Sequence, residues 1–363
     1  MSRLAADCGA INLSQGFPDF DIDPELIRLV NQAMIDGHNQ YAPMPGLPAL
    51  RQALAEVIHQ TYHRPTDPET EITITAGGTA ALYASITAFI QPGDEVIIFD
   101  PSYDSYGPAV RLNGGVPVHL NLQPPDFNIP WDQLEATVRP KTRMIIVNTP
   151  HNPCGSVLSL EDMNRLGALC KKHDIILLSD EVYERLVFDG KTHHSVLAHS
   201  DLADRVIAVF SFGKTFHVTG WKTGYVVASP RLTTEIRKSH QFITFSVNTP
   251  IQHGISRYLQ EPSHYLMLGT FYQKKRDFFW NELRGSPFRP LPCYGSYFQL
   301  VSYEGFSSEK DTELAKRLTR DAGIASIPVS AFYKDGSDHH LLRFCFAKKE
   351  ETLSAAGKIL RQL

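Results

Sequence analysis

The chain has 363 residues, room for about two domains. Hydrophobic residues make up 42% and charged residues 20%, the make-up of a globular protein with a sizeable core. The formal charge of −4, with no block of Lys or Arg, argues against nucleic acid or an anionic membrane surface as partner and favours a small neutral or anionic ligand.

Short β-branched runs alternate with longer helical patterns from residue 71 onward. EITIT (71–75), EVIIFD (95–100), MIIVN (144–148), IILLSD (175–180), VIAVFSF (206–212) and TGYVVAS (223–229) read as buried strands. AALYASITAFI (80–90) reads as a helix closed by Gln-Pro-Gly. SLEDMNRLGALCKKHD (159–174) reads as a helix opened by a serine cap and an acidic first turn. Strands separated by helices predict an α/β fold with a mostly parallel sheet covered on both faces.

Beyond about residue 256 the texture changes. A long helical stretch (255–283) precedes the strand signals SYFQLV, ASIPVS and LLRFCF, with helices over 311–323 and 351–363. This predicts a smaller α+β domain, residues 256–363 joined by 1–35, beside a large domain over 36–255. No apolar run reaches the length of a membrane span. The N-terminus shows no basic-then-apolar leader pattern, and the five scattered cysteines include no C-x-x-C pair. Together they predict a cytoplasmic protein with idle thiols.

The candidate sites lie at strand ends. SFGKTFHVTGWKTGY (211–225) contains Gly-Lys-Thr, the ending of a phosphate-binding loop. That reading needs a glycine where Ala208 stands and a helix where another strand soon follows. The alternatives for Lys214 are a solvated lysine or a reactive one. Its place after a buried strand, among Phe212, Phe216 and Trp221, favours desolvation, which lowers an amine's pKa and frees its lone pair.

Asp180 ends a buried strand, where open α/β sheets hold ligands; it reads either as a helix cap or as an anion facing a protonated ring nitrogen. Tyr183 follows one helical turn later. NTPHNPCG (148–155) places Asn152 in a loop at the same edge. TAGGTAAL (75–82) is a strand, a glycine turn and a helix start, an anion site if anything binds there. A desolvated lysine, a carboxylate, an amide and an anion cup match one ligand, a phosphorylated pyridine aldehyde.

On these residues the sequence resembles the class I/II pyridoxal-phosphate aminotransferases. The likeness also runs through INLSQGFPDF, NQYAPMPGLPALRQALA, FDPSYDSY and LLRFCFAKKE. QGFPDF, QYAPMPG and DPSYDSY resemble the methionine and kynurenine (glutamine-type) members most. The resemblance implies the fold type I architecture and pyridoxal 5′-phosphate as cofactor. It implies that Lys214 holds the aldehyde carbon and, once released, shuttles the substrate's α-proton. It implies that Asp180 faces the ring nitrogen, that Asn152 and Tyr183 bond the phenolic oxygen, and that Tyr103 stacks on the ring. Gly78, Thr79, Ser211 and Lys222 would bind the phosphate, with Tyr41 reaching the phosphate of a neighbouring subunit in a homodimer. Arg343, helped by Asn152 and the Gly16 backbone, would fork onto the substrate α-carboxylate.

The implied reaction moves the amino group of a neutral L-amino acid to a 2-oxo acid. The alternatives are a cysteine-conjugate β-lyase with the same cofactor residues and a non-catalytic cofactor-binding regulator. A neutral substrate also agrees with the aromatics Phe17, Tyr41, Tyr103 and Phe245 expected near the pocket. The pattern departs from relatives at Ala80, at Cys154 in NPCG, and at Lys222, where aspartate-type members carry arginine. The pairs His193–His194 and His339–His340 lack a third ligand and read as solvent-facing loops, so no metal is expected. His151 and His217 are candidates for tuning the pocket, Trp131 and Trp280 read as core, and Lys274, Lys275 and Arg276 read as an exposed helix face.

Overall fold

In the computed structural model, residues 1–363 are described, apart from the side chains of Ser200 and Asp201. A seven-stranded sheet forms the centre. Its strands are β1 (Ile72–Thr75), β2 (Glu95–Asp100), β3 (Val116–Asn121), β4 (Thr142–Asn148), β5 (Ile176–Asp180), β6 (Val206–Ser211) and β7 (Gly224–Ala228). They lie in the order β1-β7-β6-β5-β4-β2-β3. Only β7 runs antiparallel, pairing with both β1 and β6.

Side chains alternate across this sheet, so each face carries its own apolar layer. Ile98, Ile146, Leu178, Val209 and Val226 join the cluster under the helix Gly77–Phe89. Ile97, Ile145, Leu177, Ala208 and Val227 join the opposite one, which also takes Met163, Leu166 and Cys170 of the helix Leu160–His173. That helix begins with the expected cap: Ser159 accepts from the Asp162 amide while Asp162 accepts from the Ser159 amide. The six expected strands are present. β3 escaped the pattern because it is a half-buried edge strand with Pro117 inside it.

The long stretch predicted over 255–283 is three helices, Thr249–Tyr258, Ser263–Leu266 and Leu268–Leu283, interrupted at Glu261-Pro262 where proline cannot continue the ladder. A four-stranded sheet follows, including Phe298–Ser302 paired antiparallel with Leu341–Cys345. The chain start joins this part: Ile11–Asn12 pairs with Ile324–Ala325, and the Cys345 amide donates to the Leu13 carbonyl.

Of the basic run at 274–276, Lys274 is exposed as expected, and Lys275 and Arg276 are not. Arg276 is 2% exposed. Its guanidinium forks onto Asp189 at 2.6 and 2.7 Å and lies over the Phe188 and Trp280 rings. Lys275 is also buried and donates to the Lys348 carbonyl at 2.8 Å. Long basic side chains bury their stems when carboxylates and carbonyls meet their heads. His193 departs from expectation similarly, its side chain 6% exposed and its Nε2 2.9 Å from Glu181. Among the described residues no helix is long and apolar enough to cross a membrane, and no His/Cys/Asp/Glu group could hold a metal ion.

Candidate active site

A cavity of about 480 Å³ opens at the C-terminal ends of β4, β5 and β6. The topology delivers its residues from distant parts of the chain. Asp180 ends β5, Asn148 ends β4 and Ser211 ends β6, while the turn after β1 brings Gly77, Gly78 and Thr79.

Lys214 follows β6 on a single helical turn, Phe212–Thr215. Such a turn was not expected in this segment, but it is too short to act as the helix of a phosphate-binding loop. Burial lowers the Lys214 pKa from 10.5 to about 8, opposed in part by Cys345 and Asp180. The neutral-amine fraction near neutral pH therefore rises roughly 300-fold over that of a solvated lysine. Nζ donates to the Tyr297 hydroxyl at 2.8 Å and approaches the Gly16 carbonyl at 3.4 Å.

Asp180 is 4% exposed, and its pKa rises from 3.8 to about 6 because burial disfavours the charge. The Tyr106 hydroxyl, donating at 2.6 Å, and the Val182 amide, at 3.3 Å, oppose that rise. No salt bridge reaches Asp180 among the described residues, so a cation placed against its carboxylate would gain strongly from ionising it.

The anion cup is built by close backbone approach. Gly77 has φ +81°, and the Lys222 side chain passes over it. A Cβ on Gly224 would meet the Phe210 carbonyl at 2.5 Å and the Gly78 amide nitrogen at 3.1 Å, so β7 can press on the turn only as glycine. The helix Gly77–Phe89 has no side-chain cap, leaving its first amides free for an anion. Thr79 Oγ1 lies 3.2 Å from the Tyr103 hydroxyl, which ties the cup to the ring expected to stack on the ligand.

Arg343 lies on the paired strand Leu341–Cys345 and is 7% exposed. Nη1 donates to Asn152 Oδ1 at 2.7 Å and Nη2 to the Ser14 carbonyl at 3.0 Å. The guanidinium rests 3.9 Å from the Phe298 ring centroid and 4.9 Å from that of Phe332. Its Nε has no partner among the described residues, and the groups its Nη atoms meet are an amide and a backbone carbonyl rather than a carboxylate. Burial depresses its pKa accordingly. A buried guanidinium without an anion is costly unless a ligand carboxylate completes it. Asn152 in turn takes its backbone position from Asn148, whose Oδ1 accepts the Asn152 amide at 2.7 Å and whose Nδ2 donates to the Asp180 carbonyl at 2.8 Å.

Gly16, Gly78, Thr79, Tyr103, Asn152, Asp180, Tyr183, Ser211, Lys214, Lys222 and Arg343 thus share one cavity. Tyr183 is buried, which raises its pKa, and it meets Tyr297 edge-on at 5.1 Å. Tyr41 lies outside the cavity at 82% exposure, edge-on to Phe245. Of the four aromatics expected beside the substrate, only Tyr103 lines the cavity; Phe17 and Phe245 are largely exposed elsewhere. Phe298 and Phe332 take that place. His151 and His217 adjoin the site segments without lining the cavity, and burial lowers the pKa of each to about 4. Tyr106, Asn148 and Tyr297 were not anticipated as site residues. Tyr106 stands one helical turn after Tyr103 in DPSYDSY, a spacing that could have indicated it; Tyr297 carries no such signal.

The donor set fits a phosphorylated pyridine aldehyde: free helix amides and Lys222 for phosphate, a buried carboxylate for the ring nitrogen, a desolvated amine for the aldehyde. The chain belongs to the family Aminotransferase class I and II, which it matches over residues 9–359, and that match makes it an aminotransferase. It is 50% identical to the methionine aminotransferase of Escherichia coli, over all of this chain and 94% of that protein. It is 36% identical to kynurenine–oxoglutarate transaminase 3 of Mus musculus, over 99% of this chain and 86% of that one. The solved E. coli structure identified with a methionine aminotransferase function superposes with a TM-score of 0.98 and 50% identity, covering all of this chain and 96% of that one.

Proposed function

We propose that this aminotransferase uses pyridoxal 5′-phosphate to take the amino group from a neutral L-amino acid of methionine type, with aromatic donors as secondary substrates, and passes it to a 2-oxo acid. The observation that carries this is the buried Arg343, short of a carboxylate partner and sharing one cavity with the desolvated Lys214. The relatives' named activities support the choice of donor. The apolar rings of Phe298 and Phe332 beside Arg343 support a neutral side chain.

In this reading Arg343 grips the substrate α-carboxylate and Asn152 Oδ1 fixes the guanidinium plane, which orients the α-carbon toward Lys214. The bound cofactor supplies a sink for the electron pair left when the α-proton departs. Lys214 Nζ, once free, would take that proton from the substrate α-carbon and hold it for return. Asp180 would face the ring nitrogen and keep it protonated, and Tyr183 would donate to the phenolic oxygen. Gly78, Thr79, Ser211 and Lys222 would hold the phosphate. Residues 36–255 form the unit that carries the cofactor, and residues 256–363 with 1–35 form the smaller one. A homodimer completes the phosphate site through the exposed Tyr41 of each neighbour.

Purified protein offered methionine, phenylalanine, kynurenine and aspartate with a panel of 2-oxo acids should transfer fastest from methionine. A preference for aspartate would refute the neutral pocket, and pyruvate with ammonia released from cysteine conjugates in the absence of any oxo acid would mark a β-lyase. Arg343→Lys should lower kcat/KM for the donor by about 10²–10³-fold, chiefly through KM, because a point charge cannot fork onto a carboxylate. Steady-state kinetics with unchanged cofactor absorbance would establish this.

A further inference from the structure

We infer that Tyr297 is a positioning residue for Lys214, its hydroxyl forming the resting place of the free amine. The reading rests on Lys214 being the amine that reacts with the cofactor. Tyr297 is fully buried on the strand edge beside Phe298. Its hydroxyl donates to the Gly16 carbonyl at 2.5 Å, which commits its one hydrogen. Its oxygen is then left to accept, and it accepts from Lys214 Nζ at 2.8 Å. The Gly16 carbonyl, at 3.4 Å from Nζ, makes the second wall of the same cradle.

Both walls are anchored independently of Lys214. The Tyr297 ring is wedged edge-on between Tyr183 at 5.1 Å and Phe298 at 4.9 Å, with Tyr272 at 5.9 Å. A Cβ on Gly16 would strike Phe298 at 2.5 Å, so the loop sits hard against the same aromatic layer. A released lysine has four rotatable bonds to lose; a fixed acceptor removes much of that freedom before the proton moves. The cradle also accepts from ammonium N–H groups, so it favours the protonated amine. The other charged or titratable groups facing Lys214 are Asp180, Arg343, Lys222, Cys345 and Tyr183; Tyr297→Phe removes none of them, and of their contacts it takes away the Tyr297 hydrogen bond to the Tyr183 hydroxyl.

The test compares Tyr297→Phe with Tyr272→Phe. Phenylalanine keeps the ring and its packing at either position. The Tyr272 hydroxyl is equally buried, neighbours Tyr297 and has no hydrogen-bond partner among the described residues, so its loss controls for deleting a buried hydroxyl. Cofactor-free protein is acylated with acetic anhydride across a pH series, and modification of Lys214 is read by peptide mass spectrometry. Tyr297→Phe should move the labelling midpoint down by about one pH unit, raising the rate near neutral pH roughly fivefold. In the holoenzyme kcat should fall by about tenfold or more with KM little changed, and the isotope effect of α-deuterated methionine should rise. Tyr272→Phe should match wild type in every readout. A wild-type midpoint and kcat in folded Tyr297→Phe would overturn the inference, as would the same changes in Tyr272→Phe. Borohydride trapping of the Lys214 peptide in wild type tests the underlying reading separately.

Discussion

Lys214→Ala is expected to abolish transamination, with turnover reduced by about 10⁴-fold or more, because in the proposed function one amine serves both as covalent anchor and as proton carrier. The two losses do not substitute for each other. An added alkylamine restores at most the proton transfer, since it lacks the effective concentration of a tethered group. The fold should survive: Lys214 sits on a single turn, and among the described residues its head has Tyr297 and the Gly16 carbonyl within hydrogen-bonding distance. Borohydride reduction of the coloured holoprotein should tag the peptide bearing Lys214 in wild type and leave the variant untagged. A tag on any other lysine would overturn the assignment.

Asp180→Asn should lower kcat by about 10²–10³-fold, the scale lost when a preorganised charge is removed from a dry site. Asparagine keeps the shape, and its one amide oxygen can still accept from Tyr106; the change removes the charge together with the longer 3.3 Å bond from the Val182 amide, which meets the other oxygen. The same substitution should stabilise the cofactor-free protein. In the folded chain burial raises the Asp180 pKa from 3.8 to about 6, so the native state binds its proton more tightly than the unfolded chain does. That preference favours folding at low pH and is lost as pH rises through 6, leaving a penalty on the order of 3 kcal/mol at neutral pH. Asp180→Asn removes the penalty. Urea titration of the cofactor-free proteins should therefore show the variant more stable near pH 7.5 and indistinguishable near pH 4. A gain of equal size at both pH values would show that charge burial is not its source. Active-site charge held at a stability cost of this kind is a recurrent trade in enzymes.

The chemistry of the site was legible where it is local. Lys214 was identified by what precedes it, an apolar strand, and what surrounds it, three aromatics. Asp180 was identified by its position at a strand end, and the glycine turn at 77–78 by the change from strand to helix. These are statements about a few consecutive residues, and local sequence carries them. Tyr106 was within reach of the same reasoning, one turn beyond Tyr103. Arg343 and Tyr41 came from resemblance alone, for neither has a local pattern that marks it.

Other features depended on contacts between residues far apart in the chain. Arg276 and Lys275 look like a solvated run, and they are buried because Asp189 and the Lys348 carbonyl arrive from other elements. His193 was read as a loop residue, and Glu181 makes it an interior one. Phe298 and Phe332 take the place expected for Phe17 and Phe245 because the small sheet turns Phe298, and the turn Val329–Phe332 turns Phe332, onto Arg343. Periodicity along the chain was enough to specify an alternating α/β order with apolar layers on both sheet faces, since burying those faces is the dominant gain. It also supplied the carboxylate, the amine and the anion cup at the strand ends. The order of the strands, the reversal of β7, the Arg343–Asn152–Asn148 chain and the Tyr297 cradle were settled by packing. Each joins groups separated by many residues, and which distant groups meet depends on how the layers close, something no window of sequence contains.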